Sequence, residues 1–357
     1  MQVDHDVPLA TLTTMRVGGP AQRLVTVTTT DELVDAVREV DDADEPLLVI
    51  SGGSNLVIAD EGFAGTVVVV RTSGAQVESQ DLCGGAFVRV AAGEPWDGLV
   101  ERAVEEGWAG IEALSGIPGL TGATPVQNVG AYGQEVAQTI AQVRVYDRHE
   151  GRVRTFTSSD CAFAYRHSAF KGTDRYVVLD VAFQLEVGDL SRPVAYAALA
   201  DGLGVELGAR VPLADARAAV LEQRRQRGMV LDPQDHDTWS CGSFFTNPIL
   251  DEEGWEELAR RATARLGAQG PVPPRFAAGE GLVKTSAAWL IDKAGFGKGF
   301  GMPGPAALST RHPLAVTNRG PASAADVVAL ARQVRDGVQE TFGVTLVNEP
   351  VFVGHSL

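Results

Sequence analysis

The chain has 357 residues, 46 acidic and 30 basic side chains, a net charge of −16 and 45% hydrophobic residues. That composition describes an ordinary globular chain and not a disordered one, and the length suits two or three packed domains. The negative balance argues against sequence-independent binding to nucleic acid or an anionic membrane surface, and no apolar run approaches the ~18–20 residues a membrane span needs.

Cys83, Cys161 and Cys241 stand apart from one another, which argues against a disulfide framework or a CxxC metal site and for a reducing cytoplasm. The opening MQVDHDVPLATLTTMRVGG carries early aspartates and no apolar stretch of the secretory kind. Only Lys171, Lys284, Lys293 and Lys298 are lysines; every other cation is arginine. Codon bias accounts for this, as does a need for a compact ammonium at some of these sites.

In chain order, RLVTVT predicts a strand and TTDELVDAVREV a helix with a threonine cap and acids in its first turn. PLLVI predicts a strand running into SGGSN, and FAGTVVVV another strand. Small residues after a strand let a ligand approach the backbone, but Gly-Gly-Ser-Asn is also ordinary turn chemistry, and the residues alone leave both readings open. FVRVAAG predicts a strand, and PWDGLVERAVEEG a helix with Pro95 near its first turn.

GIEALSGIPGLTGATPVQNVGAYGQEV follows, glycine-rich and almost uncharged. Linkers are usually polar, so this loop is better explained as backbone lining a cofactor cavity. VAQTIAQVRVYDRHEGRVRTF predicts a hairpin turning at Glu150-Gly151, and RYVVLDVAFQLE a strand. From about residue 213 the pattern is helical: LADARAAVLEQRRQRG, DEEGWEELARRATARLG, SAAWLIDKAG and SAADVVALARQVRDGVQETFG. In the last of these Val327, Ala331, Val334 and Val338 share a face, with Ser323 as cap and Gly343 as stop.

Several familiar signatures fail. GFGKGFG at 295–301 lacks both the spacing and the preceding strand of a dinucleotide fingerprint. There is no phosphate loop of the GxxxxGK[ST] kind, no GxSxG elbow around Ser243, and no histidine pair at metal-ligand spacing.

Five patterns remain, in the order SGGSN, GIPGLTGATPVQNVGAYG, YRHSAFK, CGSFFTNP and LVNEPVFVG. As a set they closely resemble the MurB family of UDP-N-acetylenolpyruvoylglucosamine reductases, and the resemblance runs from TTMRVGGPA to NEPVFVG. It implies an α+β fold that binds FAD noncovalently and is similar to the vanillyl-alcohol-oxidase (PCMH) type. Two FAD-binding subdomains are expected at 1–70 and 71–212. A C-terminal α/β substrate-binding domain is expected at 213–357, with its last strand bringing Glu349 back to the active site.

The resemblance implies that NADPH donates hydride and that the enolpyruvyl ether of UDP-N-acetylglucosamine accepts it, giving UDP-N-acetylmuramate for peptidoglycan precursor synthesis. It further implies a monomeric cytoplasmic enzyme with no metal ligand set, from a family whose members are often activated by monovalent cations, a dependence that no residue pattern here marks. Ser243 matches the serine that protonates C2, a task needing a neutral donor within hydrogen-bond reach. Arg166 matches an arginine that favours the enolate-like charge on the substrate carboxylate, and Glu349 the glutamate that orders the serine or shares its protonation.

For the cofactor, the resemblance places Gly52, Gly53, Ser54 and Asn55 on the pyrophosphate, through backbone amides that let an acidic protein hold an anion. It lines the isoalloxazine side with Gly116, Gly119, Gly122, Ala123 and Thr124, then Gln127, Asn128, Gly130 and Ala131. Neither loop holds a histidine for a covalent link, and His167 is read as a variable neighbour. On the substrate side it places Tyr165, Lys171, Tyr196, Arg227, Phe244, Asn247 and Lys284, with Lys298 a further cation near the nucleotide. Arg227 stands where the family often has lysine, which keeps the charge and changes the geometry. The rival readings are a flavin oxidase or dehydrogenase of the same superfamily on another substrate, and a noncatalytic binding protein that keeps the fold.

Overall fold

The computed structural model describes residues 1–357. They form two compact units: Met1–Val7, Pro20–Gly53 and Phe63–Val230 make the first, and Pro8–Gly19, Ser54–Gly62 and Leu231–Leu357 the second.

The first unit holds two sheets. In the smaller, the strands run in the order Gln2–Pro8, Pro20–Val27, Phe63–Val70, Leu47–Ile50, and the last three are mutually parallel. Helix Thr30–Asp42 makes the crossover, and it starts where the sequence says it should. Thr29 Oγ1 accepts from the Glu32 amide at 3.2 Å, while the Glu32 carboxylate accepts from the Thr29 amide at 3.3 Å. Its apolar face buries Leu33, Ala36, Val37 and Val40. The valine run of Phe63–Val70 is buried on both faces, as a central parallel strand requires.

The larger sheet is antiparallel. Its order is Arg152–Thr157, Ile140–Asp147, Tyr176–Val187, Gly85–Ala91, Ala75–Asp81, and the short strand Trp108–Ala109 also pairs with Tyr176–Val187. Helix Trp96–Glu105 packs Trp96, Leu99, Val100 and Ala103 into the core of this sheet. Helices Ala197–Leu203 and Leu213–Gln226 close a small separate core around Leu199, Ala216 and Val220.

The second unit is built round helix Ala324–Phe342. Ser323 and Asp326 form a capping box at its start, and Gly343 at φ 75° ends it. Strand Val351–Val353 pairs in parallel with Leu56–Ile58, and Leu282–Lys284 lies between Ile249–Asp251 and Phe276–Ala277. A fourth pairing joins Ala306–Leu308 to Val316–Asn318.

The GFGKGFG stretch is packing, not a nucleotide loop. A Cβ on Gly337 would lie 2.3 Å from Phe296 Cζ, so the Phe296 ring beds against the helix where a side chain is missing. Phe296 and Phe300 meet edge to face, their centroids 4.9 Å apart. No helix is long and apolar enough to cross a membrane.

Candidate active site

The glycines of the first unit are spaced by contact, not by flexibility. A Cβ on Gly52 would lie 2.5 Å from Gly119 Cα, so the SGGSN and GIPGL turns press backbone to backbone. A Cβ on Gly122 would sit 2.5 Å from Ala92 Cβ. Gly53, Gly116 and Gly119 have φ of 58°, 71° and 123°, conformations that side chains other than glycine rarely adopt. Thr121–Ala123 is a short 3-10 turn, and Thr124 is buried with its hydroxyl donating to Thr121 O at 2.8 Å. Ala123, Gln127 and Ala131 are half-buried beyond it.

Here an anionic flavin cofactor fits. Both turns are free of acidic residues, and the Ser51 hydroxyl is buried with no partner in the chain. Ser51, Gly52 and Gly53 with the Gly116–Ala131 loop are the residues that would hold it. Ser54 and Asn55 belong to the second unit.

Arg166 is fixed by that same loop. Its guanidinium donates to Gly130 O at 2.7 Å and to Asn128 O at 3.3 Å, and Glu135 lies 3.7 Å away. A Cβ on Gly130 would reach 3.1 Å from Arg166 Nη1, so the glycine makes room for the cation. Both Arg166 (φ 51°) and Asn128 (φ 48°) are left-handed, a cost of order 1 kcal/mol or more each for residues other than glycine. Asn128 commits its side chain to Glu135 Oε2 at 2.8 Å, Ala164 O at 3.1 Å and the Ala137 amide at 3.1 Å. Lys171 Nζ donates to Arg166 O at 2.9 Å, and the Tyr165 ring lies 5.2 Å from the Arg166 guanidinium carbon. His167 is exposed.

Tyr196 and Arg227, far apart in sequence, meet through Tyr132. The two tyrosine rings are perpendicular at 5.4 Å, and Arg227 lies 5.8 Å over the Tyr132 ring. Burial raises the Tyr132 pKa, against the neighbouring Arg224 and Arg227. Tyr132 and Arg224 were not singled out in the sequence. Tyr132 stood inside the quoted GAYG, and Arg224 lies seven residues after buried Arg217 and four after buried Val220, on one helix face.

In the second unit, CGSFFTNP is threaded beside the end of the chain. Phe244 N donates to Leu314 O at 2.8 Å, Glu349 N to Phe244 O at 2.9 Å, and Thr246 N to Val347 O at 3.0 Å. The backbone at Ser243–Phe244 therefore runs beside that of Glu349; Ser243 and Glu349 are both half-buried, and the rings of Phe244 and Phe245 are sealed from solvent. Gly242 turns at φ 73°, and the buried Cys241 thiol, its pKa pushed up to about 12 by burial, bonds to Leu56 O at 3.4 Å.

Asn55 joins this seam, its amide donating to Glu349 O at 3.2 Å and its carbonyl accepting from Val351 N at 2.9 Å. Asn247 Oδ1 accepts from the Ala287 amide at 3.0 Å, at the start of helix Ala287–Lys293. Lys284 ends its strand opposite Ile249, and Lys298 is exposed in the glycine-rich loop. No cluster of three or more histidine, cysteine or acidic side chains is placed to hold a metal.

Comparison with known proteins agrees with both halves. Residues 21–157 match the family model described as FAD binding domain. Residues 232–353 match that described as UDP-N-acetylenolpyruvoylglucosamine reductase, C-terminal domain. The chain is 59% identical, over 99% of its length and 91% of the relative's, to the UDP-N-acetylenolpyruvoylglucosamine reductase of Streptomyces coelicolor. It is 57% identical to that of Thermobifida fusca, covering 99% of this chain and 98% of the other. Among solved structures, the reductase (MurB) from Thermus caldophilus superposes with a TM-score of 0.65 at 27% identity, over 99% of each chain.

Proposed function

From the premise that this chain belongs to the UDP-N-acetylenolpyruvoylglucosamine reductase family and is an FAD-dependent oxidoreductase, we propose the reaction in detail. It reduces the enolpyruvyl group of UDP-N-acetylglucosamine enolpyruvate to the lactyl ether at the expense of NADPH, giving UDP-N-acetylmuramate for peptidoglycan. FAD, held by Ser51, Gly52, Gly53 and the Gly116–Ala131 loop, would supply the hydride chemistry that links NADPH to C3 of the enolpyruvyl group.

The chain's own residues do the rest. Arg166, its guanidinium fixed by Gly130 O and Asn128 O, attracts the substrate carboxylate and the charge that grows on it. The Ser243 hydroxyl gives its proton to C2, which is basic enough to take it from a weak acid. Glu349 returns a proton to Ser243 Oγ, directly or through a water. Tyr196 and Arg227 hold the diphosphate, with Tyr132 bracing both.

The observation that supports this reading most is the hydrogen bond from Glu349 N to Phe244 O, which holds the backbone of the candidate carboxylate against the residue that follows the candidate acid in the chain. The test is an anaerobic visible spectrum. A yellow protein should bleach with NADPH and recover its colour with the enolpyruvyl substrate. Bleaching without recovery would keep the flavin and point to another acceptor. A protein that stays colourless with added FAD would overturn the reading.

A further inference from the structure

Glu112 opens the short 3-10 turn Glu112–Leu114 ahead of the glycine-rich loop, and it is only 2% exposed. Its hydrogen-bond partners are neutral. Oε2 accepts from the Gly110 amide at 2.6 Å, and Oε1 accepts from the Arg192 amide at 2.6 Å and the Gln134 side-chain amide at 2.9 Å. Gln134, also buried, closes the ring of bonds, its own Oε1 accepting from the Ala113 amide at 2.8 Å. A carboxylate taken out of water is costly unless hydrogen bonds replace its hydration, and here N–H donors from separate segments do so.

Those segments carry the two tyrosines. Gln134 follows the hairpin turn Tyr132-Gly133, and Arg192 begins the RPVAY stretch that ends at Tyr196. Both turn residues have positive φ, 50° for Tyr132 and 88° for Gly133. Asn-Gly is the usual pair in such two-residue turns, so a tyrosine at the first position is strained and must be held by its surroundings. A Cβ on Gly133 would lie 2.8 Å from Ala195 Cβ, which presses the turn against the residue before Tyr196. The outcome is the perpendicular Tyr132–Tyr196 pair with Arg227 over the Tyr132 ring. A single oxygen, Glu112 Oε1, accepts from both segments.

We propose that Glu112 is a positioning residue for the substrate: it fixes the Tyr132 turn to the Tyr196 segment and so sets the affinity for a nucleotide diphosphate without touching it. This rests on the reading of Tyr196 and Arg227 given above. The negative charge is needed because it accepts on both oxygens. Glutamine has the same size but one accepting oxygen, and its NH2 would face an N–H donor.

The experiment compares wild type, Glu112→Gln, Gln134→Met and the double variant. The FAD-loaded enzyme is reduced with dithionite and reoxidised anaerobically by increasing enolpyruvyl substrate, with UDP as competitor. Affinity for oxidised FAD is measured in parallel. Each single variant should raise the half-saturating substrate concentration and the UDP inhibition constant about tenfold, corresponding to ~1.4 kcal/mol. The limiting rate of reoxidation and the FAD affinity should stay at wild-type values, the mark of lost binding and not lost chemistry. The double variant should fall short of the sum of the two, since both changes cut the same contact.

A limiting rate that falls while half-saturation holds, or an FAD affinity that falls beside it, would make Glu112 a support of the glycine-rich loop and overturn the proposal. Variants that saturate and respond to UDP as the wild type does would overturn it equally. If Glu112→Gln does not fold, Gln134→Met reads the same contact by the same criteria. A wild-type reduced enzyme that the substrate does not reoxidise would instead sink the functional reading beneath it.

Discussion

Ser243 sits where a small displacement would matter most. Gly242 precedes it at φ 73° and two sealed phenylalanines follow, so its hydroxyl is carried by a rigid turn. Ser243→Ala should leave bleaching by NADPH at the wild-type rate and slow recovery with the enolpyruvyl substrate by on the order of 10²–10⁴-fold. Stopped-flow absorbance of the two half-reactions measures each separately, and equal losses in both would remove the serine from the proton's path. Gly52 makes a different claim, about space. With Gly119 Cα at 2.5 Å from its would-be Cβ, Gly52→Ala must push two backbones apart. We expect FAD affinity to fall about tenfold or more, corresponding to ~1.4 kcal/mol or more of strain. Fluorescence titration of the apoprotein with FAD checks it, and wild-type affinity would mean the cradle is not where the cofactor binds.

Among the elements, helix Ala324–Phe342 pits local preference against packing. Its interior Gly337 costs about 1 kcal/mol relative to alanine in an isolated helix. The structure keeps it because Phe296 occupies the place of the side chain, 2.3 Å from a Cβ there. Gly337→Ala should therefore destabilise the second unit by about 1–3 kcal/mol despite the better helix former. In a Phe296→Ala background the same change should cost less or turn favourable, a coupling that a double-mutant cycle by thermal melting would expose. The helix itself was readable from sequence: Ser323, Gly343 and the spacing of Val327, Ala331, Val334 and Val338 determine it locally. Helix Ala197–Leu203 and strand Ala75–Asp81 were not. The first is a short helix and the second is largely exposed, so neither shows a sustained apolar stripe.

For the whole molecule, buried carboxylates set the acid limit. Asp147 is held well below the usual carboxylate range, first by the Arg175 guanidinium at 2.7 and 2.9 Å, against burial, and then by Arg154 and the Glu150 amide. Asp237 in the second unit is also lowered: burial alone would raise it, but Thr310 and Arg319 outweigh that. A carboxylate depressed in the folded state stabilises above its unfolded value, near 3.9, and that contribution is lost as pH falls through the folded value. Asp147→Asn should thus lower the melting temperature by several degrees at neutral pH, with the gap to wild type closing below about pH 4. Melting curves from pH 7 downward test this; a gap that widens in acid would show that the aspartate is not held as an anion.

The sequence alone determined the elements whose signals are local: capped helices, valine-rich parallel strands and the hairpin at Glu150-Gly151. Through five ordered patterns it also pointed to the family and the chemistry. It carried no mark that residues 8–19 and 54–62 fold with the second unit, nor that Leu56–Ile58 pairs with Val351–Val353. Tertiary structure decided these, and it decided that the backbone of Glu349 lies beside the Ser243 turn and that Tyr132 links Tyr196 to Arg227. The reason is physical. Caps, turns and periodicity are settled by neighbours a few residues away, whereas strand partners, desolvation and counter-charges depend on segments that only the packed chain brings within a few ångströms.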